Sequence, residues 1–368
     1  MTHQFGTMGD DVYHGSGGGM KYDAGEGHDI MVGGEGNDTL FGGDGNDFII
    51  GGGMDDGDIT HMSFGGMHGG TAVDGLTADG DDILRGGDGD DTMVGAGWND
   101  GLVADNGTFD RGEATSSNMP NAVGMNKMWG GAGDDLMYGA SSADTIGGGL
   151  DNDRVHGEAG DDLLYGAAGN DRLFGGADDD VVWGGIGHDQ MWGGSGDDNL
   201  MGGLGNDMIG GGSGPDNLYG GDGDDTLYSG THDDVAWGDE GSDMMWGGMG
   251  DDSLNGGEGD DMLFGGPEMD TLNGGMGDDM LSGGDGVDTF VFSAGHGADQ
   301  ISDFNAEMDV LDLSNTSVDF TSMADVQSAA TNAVIDGTAG VMINTGDGDS
   351  VFLMGFEVGD LIDMTVIM

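Results

Sequence analysis

The chain contains no cysteine and almost no positive charge: 6 Lys and Arg stand against 72 Asp and Glu in 368 residues, a formal charge of −66. Without cysteine no disulfide can staple the fold, and thiolate metal centres and thiol nucleophiles are excluded. No Lys or Arg follows Arg172. A chain of that sign repels phosphate, so no nucleic acid and no anionic membrane surface is expected as a partner. No apolar run approaches the length of a bilayer crossing, so no membrane span is expected either. The opening MTHQFGTMGD has neither the basic nor the apolar region of a cleavable leader. HExxH, GxSxG and GxxxxGK[ST] are all missing, which removes the usual zinc-protease, hydrolase and nucleotide signatures. His61 and His68 are too isolated to make a metal centre. The expectation is a protein that is not an enzyme.

Glycine is what the chain has instead, 87 residues of it, and it is periodic. From 130 to 291 eighteen nonapeptides follow one another without insertion or deletion on the pattern GGxGxDxUx, with U apolar. The sixth position is always Asp: Asp135, Asp144, Asp153, Asp162, Asp171, Asp180, Asp189, Asp198, Asp207, Asp216, Asp225, Asp234, Asp243, Asp252, Asp261, Asp270, Asp279 and Asp288. The eighth is always apolar, from Met137 to Phe290. Good copies upstream carry Asp29, Asp38 and Asp47 in 24–50, then Asp82, Asp91 and Asp100 in 77–103. Looser copies occupy 6–14, 15–23 (with Met20 in place of the acid) and 294–302, where Asp299 holds the sixth position. A fixed period of this kind denotes a repeat architecture.

Glycine at positions one, two and four can adopt positive φ, which a tight turn requires. The unit therefore divides into a turn of six and an xUx strand of three whose middle side chain points inward. Two units close one coil, and nine coils stacked at about 4.8 Å would extend roughly 43 Å. Burying one U side chain contributes about 1.5–3 kcal/mol, far short of the entropy of fixing nine residues. Stacked carboxylates also repel, by about 1 kcal/mol per neighbouring pair in high dielectric. A hard divalent cation between successive turns reverses that sign. Six to eight oxygens from carboxylates and turn carbonyls is calcium chemistry, so multiple Ca2+ ions are the expected cofactor and the sixth-position Asp residues their ligands. Ser142, Asp151, Asp178, His232 and Glu268 replace the fourth-position glycine, and weaker or vacant sites are expected there.

These repeats resemble the RTX (repeats-in-toxin, haemolysin-type) calcium-binding family. The resemblance implies an all-β fold, a right-handed parallel β-roll or β-helix solenoid, that folds when it meets calcium. Residues 303–314, DFNAEMDVLDLS, resemble the segment behind the β-roll in serralysin-type and other type I secreted members. By that likeness the C-terminal region is a small mixed capping and secretion segment, the type I secretion machinery is a partner, and the protein is secreted and extracellular.

The organisation expected along the chain is repeats at 1–50, an insert at 51–76, repeats at 77–103, and a second insert at 104–129. The uninterrupted array at 130–291, a terminal repeat with capping strands at 292–314, and the secretion region at 315–368 complete it. Repeat blocks restart at 24, 77 and 130, 53 residues apart. Each 26-residue insert is expected to restore one half-coil, the second through Lys127, Met128 and Trp129. In the C-terminal region a helix is expected over 322–334 and strands over 340–344 and 350–355. Position nine is aromatic in ten of the eighteen repeats, which suits cross-strand stacking or, alternatively, an exposed face for a glycan or cell-surface partner. The function expected is a secreted, non-catalytic calcium-binding protein. The alternatives are a calcium-dependent adhesin or surface-layer component, or an accessory part of an RTX exoenzyme without its catalytic domain.

Overall fold

The structure is a computed structural model, and it describes residues 3–15, 21–26, 28–33, 39–44, 48–50, 83–88, 92–94, 101–103, 125–139 and 141–368. The chain divides into two compact units, 1–186 and 187–368. Both are parallel β-solenoids in which successive strands alternate between two sheets. Residues eighteen apart are partners across each ladder, as in Leu200 with Leu218 and Leu218 with Ala236. The period of the sequence is thus half the period of the fold. The U side chains of 130–291 land inside, and Leu164, Leu173 and Val182 in the first unit and Leu218, Leu227 and Leu263 in the second are fully buried.

Most strands of 130–291 are six residues long rather than three, as in Asn217–Asp222 and Met244–Met249. The glycines explain the difference. Gly203 and Gly221 take φ of 110° and 109° and remain in the ladder, paired with each other, so the strand bends without ending. A Cβ on Gly221 would lie 2.1 Å from the Gly203 carbonyl oxygen below it. Glycine permits both the left-handed backbone and the close stacking of coils.

Of the two inserts only residues 125–129 are described. Lys127, Met128 and Trp129 form a strand that pairs with Thr92, Met93 and Val94, so a half-coil does sit at the end of 104–129. Residues 51–76 of the first insert lie outside the described residues. Thr39–Asp44 pairs directly with Ile83–Asp88, and Phe48–Ile50 with Thr92–Val94, which leaves no rung between them. A further half-coil comes from His3–Phe5, which pairs with Lys21, Tyr22 and Asp23. A strand before the first recognisable glycine turn carries no repeat signature and was invisible to the periodicity.

Beyond Ser293 the second unit changes character. Ala330–Ile335, Thr338–Gly346 and Asp349–Met354 form an antiparallel meander, and the last of them joins Ala298–Ile301 in parallel. Thr365–Ile367 pairs with Val310, Leu311 and Asp312. The helix is shorter than expected, Met323–Ala329. Thr331, Val334 and Ile335 are β-branched, and Asp336 and Gly337 both have positive φ (49° and 87°), a tight hairpin turn that recruits 330–335 into a strand. Phe292, Phe304, Phe320, Phe352, Val341, Ile343 and Leu353 are buried here, a far denser core than one side chain per nine residues. Among the described residues no helix is long and apolar enough to cross a membrane.

The packing of the turns makes a mutational prediction. Gly221→Ala meets both a positive φ and a stacked carbonyl, whereas Gly295→Ala meets a positive φ of 87° with nothing within 4 Å. The second should cost only the left-handed strain of about 1–2 kcal/mol, the first clearly more. Thermal unfolding of the metal-loaded variants checks the order; equal losses would contradict it.

Candidate metal sites

The sixth-position Asp immediately precedes its strand, as Asp225 precedes Thr226–Thr231, with its side chain buried on the side of U. Burial is nearly complete, with Asp225 at 2% and Asp180 at 0% exposure. Backbone stacking disposes of one carboxylate oxygen. The N–H of Asp207 donates to Asp225 Oδ1 at 2.7 Å, and that of Asp225 donates to Asp243 Oδ1 at 2.7 Å. A matching ladder in the other row runs from Asp234 to Asp252 at 2.9 Å and from Asp270 to Asp288 at 3.0 Å. In the first unit the two rows run from Asp135 to Asp153 and from Asp144 to Asp162, at 2.8 and 2.7 Å.

The other oxygen has no protein donor. Oδ2 of Asp153, Asp162, Asp207, Asp216, Asp225, Asp234, Asp243, Asp252, Asp261, Asp270, Asp279 and Asp288 is buried without a hydrogen bond. It lies against the first-position glycine of its own repeat: a Cβ on Gly220 would fall 2.3 Å from Asp225 Oδ2 and 2.6 Å from the Gly238 carbonyl oxygen. Burial, opposed only in part by the backbone N–H, pushes Asp162, Asp225 and Asp261 up to about 8. Asp153, Asp207, Asp216, Asp234, Asp270 and Asp279 rise to about 7, and Asp243, Asp252 and Asp288 to about 6, for the same reason. Acidic neighbours in adjoining coils, such as Asp207 and Asp243 around Asp225, raise them further. A carboxylate so placed requires either a proton or a cation.

The donor set fits a hard cation. Among the described residues no three His, Asp or Glu side chains converge as a ready-made chelate. Each turn offers one carboxylate oxygen and backbone carbonyls, an all-oxygen set suited to calcium and unsuited to soft transition metals.

Asp29 is also buried, at 1%, and its Oδ1 accepts from the Asp11 N–H at 2.7 Å. Asp135, Asp171, Asp180, Asp189 and Asp198 are buried likewise, and Asp144 at 2%. Asp38, Asp47, Asp82, Asp91 and Asp100 lie outside the described residues. Asp299 differs, because His296 Nδ1 lies 2.6 Å from its Oδ2. Two ladder members were not anticipated. Asp309 is 3% exposed and accepts from the Asp288 N–H, and Asn126 donates to Asp144 Oδ1. Both precede an apolar strand, Val310 with Leu311 and Lys127 with Met128, which was the available signal.

A second ladder, on the exposed side, was also missed. Position-five side chains accept from the position-five N–H of the following coil: Asp260 Oδ1 from Asp278, Asp233 Oδ1 from Asp251, Asp134 Oδ1 from Asn152. It runs opposite to the buried ladder, so consecutive acids grip the coils above and below. The signal was present, since twelve of the eighteen fifth positions are Asp or Asn. Four of the five fourth-position departures keep the turn shape, Asp151, Asp178, His232 and Glu268 at φ of 74°, 77°, 90° and 87°, whereas Ser142 does not take a positive φ. Asp151 and Asp178 accept from the N–H groups of Gly133 and Gly160, both at 3.2 Å.

Known proteins bear on this geometry. The model of the RTX calcium-binding nonapeptide repeat matches residues 23–56, 77–107 and, in overlapping segments, 123–301. The chain belongs to the RTX calcium-binding repeat family. No curated protein matches it in sequence. Among solved structures, the AlgE6R3 subunit of the Azotobacter vinelandii mannuronan C5-epimerase is similar over 40% of this chain and 78% of that one, at 21% identity and a TM-score of 0.25. The extracellular lipase LipA of Serratia marcescens is similar over 76% of this chain and 45% of that one, at 17% identity and a TM-score of 0.27.

The ninth-position rings of this RTX chain stack on one another along each sheet. Tyr219 and Trp237 are 4.6 Å apart at 4°, and Tyr228 lies 4.7 Å from Trp246. Tyr138, His156 and Phe174 form a column at 4.6 and 4.5 Å. Stacked rings turn their faces to each other and their edges outward, which favours sheet stiffening over capture of a flat ligand.

The raised carboxylates set the pH response of the metal-free RTX array. Its folded acids bind protons that an unfolded chain, with acids near 3.8, has already released. Folded stability is therefore greatest below that value and falls as pH rises through about 6 to 8. In chelator, circular dichroism should show more β-structure at about pH 5 than at about pH 8. More structure at the higher pH would contradict the burial argument.

Proposed function

We propose that this chain is a secreted, non-catalytic protein whose repeats fold as they bind several Ca2+ ions outside the cell. One observation carries the proposal: buried carboxylate oxygens without a protein donor recur in step with the repeat. The Asp Oδ2 atoms, with carbonyls of the adjoining glycine turns, are the ligands. A bound Ca2+ supplies positive charge and accepts oxygen ligands on flexible geometry. Only the folded coil presents those ligands together, so metal binding and folding are one equilibrium. Extracellular-type sites bind at about 10⁻⁴–10⁻³ M, well above cytosolic calcium, which keeps the chain loose until export. Turns built on Asp151, Asp178, His232 and Glu268 carry left-handed strain and are the weaker sites. The likeness of 303–314 to type I secreted members makes 315–368 the export region and the type I machinery its partner.

Calcium titration followed by circular dichroism should convert a largely unordered chain into β-structure cooperatively; an unchanged spectrum between chelator and saturating calcium refutes the reading. Asp225→Asn keeps the Oδ1 acceptor and removes the charge. It should lose one bound ion per chain by calorimetric titration and cost the calcium-loaded state about 1–3 kcal/mol, with no loss in chelator at neutral pH. Comparing exported fractions with and without 315–368 tests the secretion assignment, and undiminished export of the truncated chain rejects it.

A further inference from the structure

The last acid of the repeat series is treated differently from those before it. Asp299 Oδ1 accepts from the Asp279 N–H at 3.0 Å, as the ladder requires. Its Oδ2 receives His296 Nδ1–H at 2.6 Å, and His296 Nε2 shares a hydrogen bond with Thr345 Oγ1 at 2.7 Å. His296, Asp299 and Thr345 are 2%, 1% and 0% exposed. Thr345 belongs to Thr338–Gly346, so one imidazole fastens the end of the solenoid to the antiparallel meander.

The neighbouring buried acids follow the same rule. Asp309 Oδ1 accepts from the Asp288 N–H at 3.1 Å, and its Oδ2 from the Asn305 N–H at 2.6 Å. Asp349 Oδ2 accepts from the Gly295 N–H at 2.7 Å. Asp261, Asp270, Asp279 and Asp288, immediately upstream, each keep a buried Oδ2 with no donor. The demand for a cation therefore stops at one place in the chain, between Asp288 and Asp299.

We propose that His296 stands in for a metal ion at Asp299, and that residues 292–368 are a lock that stays folded when the array is metal-free. The lock has its own apolar core in Phe292, Phe304, Val341, Ile343 and Phe352, and its buried acids are satisfied by protein donors alone. It also offers Asp299 Oδ1 and Asp309 Oδ1 as finished acceptors for the N–H groups of Asp279 and Asp288. A coil adding to this end thus finds its template already built. The inference rests on the calcium reading of the repeats for its contrast, but concerns residues that bind no calcium.

Hydrogen–deuterium exchange of the full chain in EDTA and in calcium tests it. In EDTA, peptides within 298–354 should remain protected while those within 190–285 exchange fast. His296→Gln should speed exchange of 298–354 in EDTA at least tenfold and leave that segment protected in calcium. Thr345→Val, which removes the partner of Nε2, should do the same to a smaller degree, and decides the matter if His296→Gln fails to fold in calcium. Asp299→Asn should leave the number of bound calcium ions unchanged. A wild-type lock that exchanges as fast as the array in EDTA, or variants indistinguishable from wild type there, would overturn the proposal. An array that ignores calcium beside a protected lock would instead defeat the function proposed above and leave the lock standing.

Discussion

A carboxylate oxygen held indoors without a donor is the constraint from which the rest of this protein follows. The backbone ladder satisfies one oxygen of sixth-position acids such as Asp225 and Asp243 and leaves their Oδ2 without a donor, beside glycine and carbonyl groups. In 187–368 no side-chain cation answers that charge, because no Lys or Arg lies there. The coils can stack only where something else brings positive charge. The glycines serve the same end, since a side chain at Gly220 or Gly221 would fill the place beside Asp225 Oδ2 or strike the coil below.

Much of this was legible in the sequence, and the reasons differ by feature. The buried ladder and the core column follow from the strict nine-residue spacing of Asp and U, which strand geometry converts into two inward rows. The opposite-running exposed ladder was equally present in the Asp and Asn of position five, but its meaning depends on which N–H faces each side chain. Strand length could not be read, because glycine counts against strand yet here stays in the ladder at Gly203 and Gly221. His3–Phe5 lacked any glycine turn to announce it. The pairing of His296 with Asp299 sits three residues apart in sequence, but Thr345 joins it from a strand 49 residues away.

The same chemistry links structure to behaviour. Acids pushed up to about 8 at Asp225 and Asp261 resist ionising in the folded coil, so a metal-free array at neutral pH is opposed both locally and by the charge of −66. A bound divalent ion removes both objections at once. The C-terminal segment escapes the conflict by using donors from its own backbone and one imidazole, with a core rich in phenylalanine. Two ways of holding a buried carboxylate therefore lie side by side in one unit. On the reading proposed above, one responds to the calcium of the surroundings and the other does not.

Differential scanning calorimetry in calcium and in EDTA at neutral pH tests the central claim most directly. The account predicts a large cooperative unfolding transition in calcium that is absent in EDTA, where at most a small transition from the C-terminal lock survives. Transitions of equal size and equal midpoint in the two conditions would show that the coils cohere without a cation, and would contradict it.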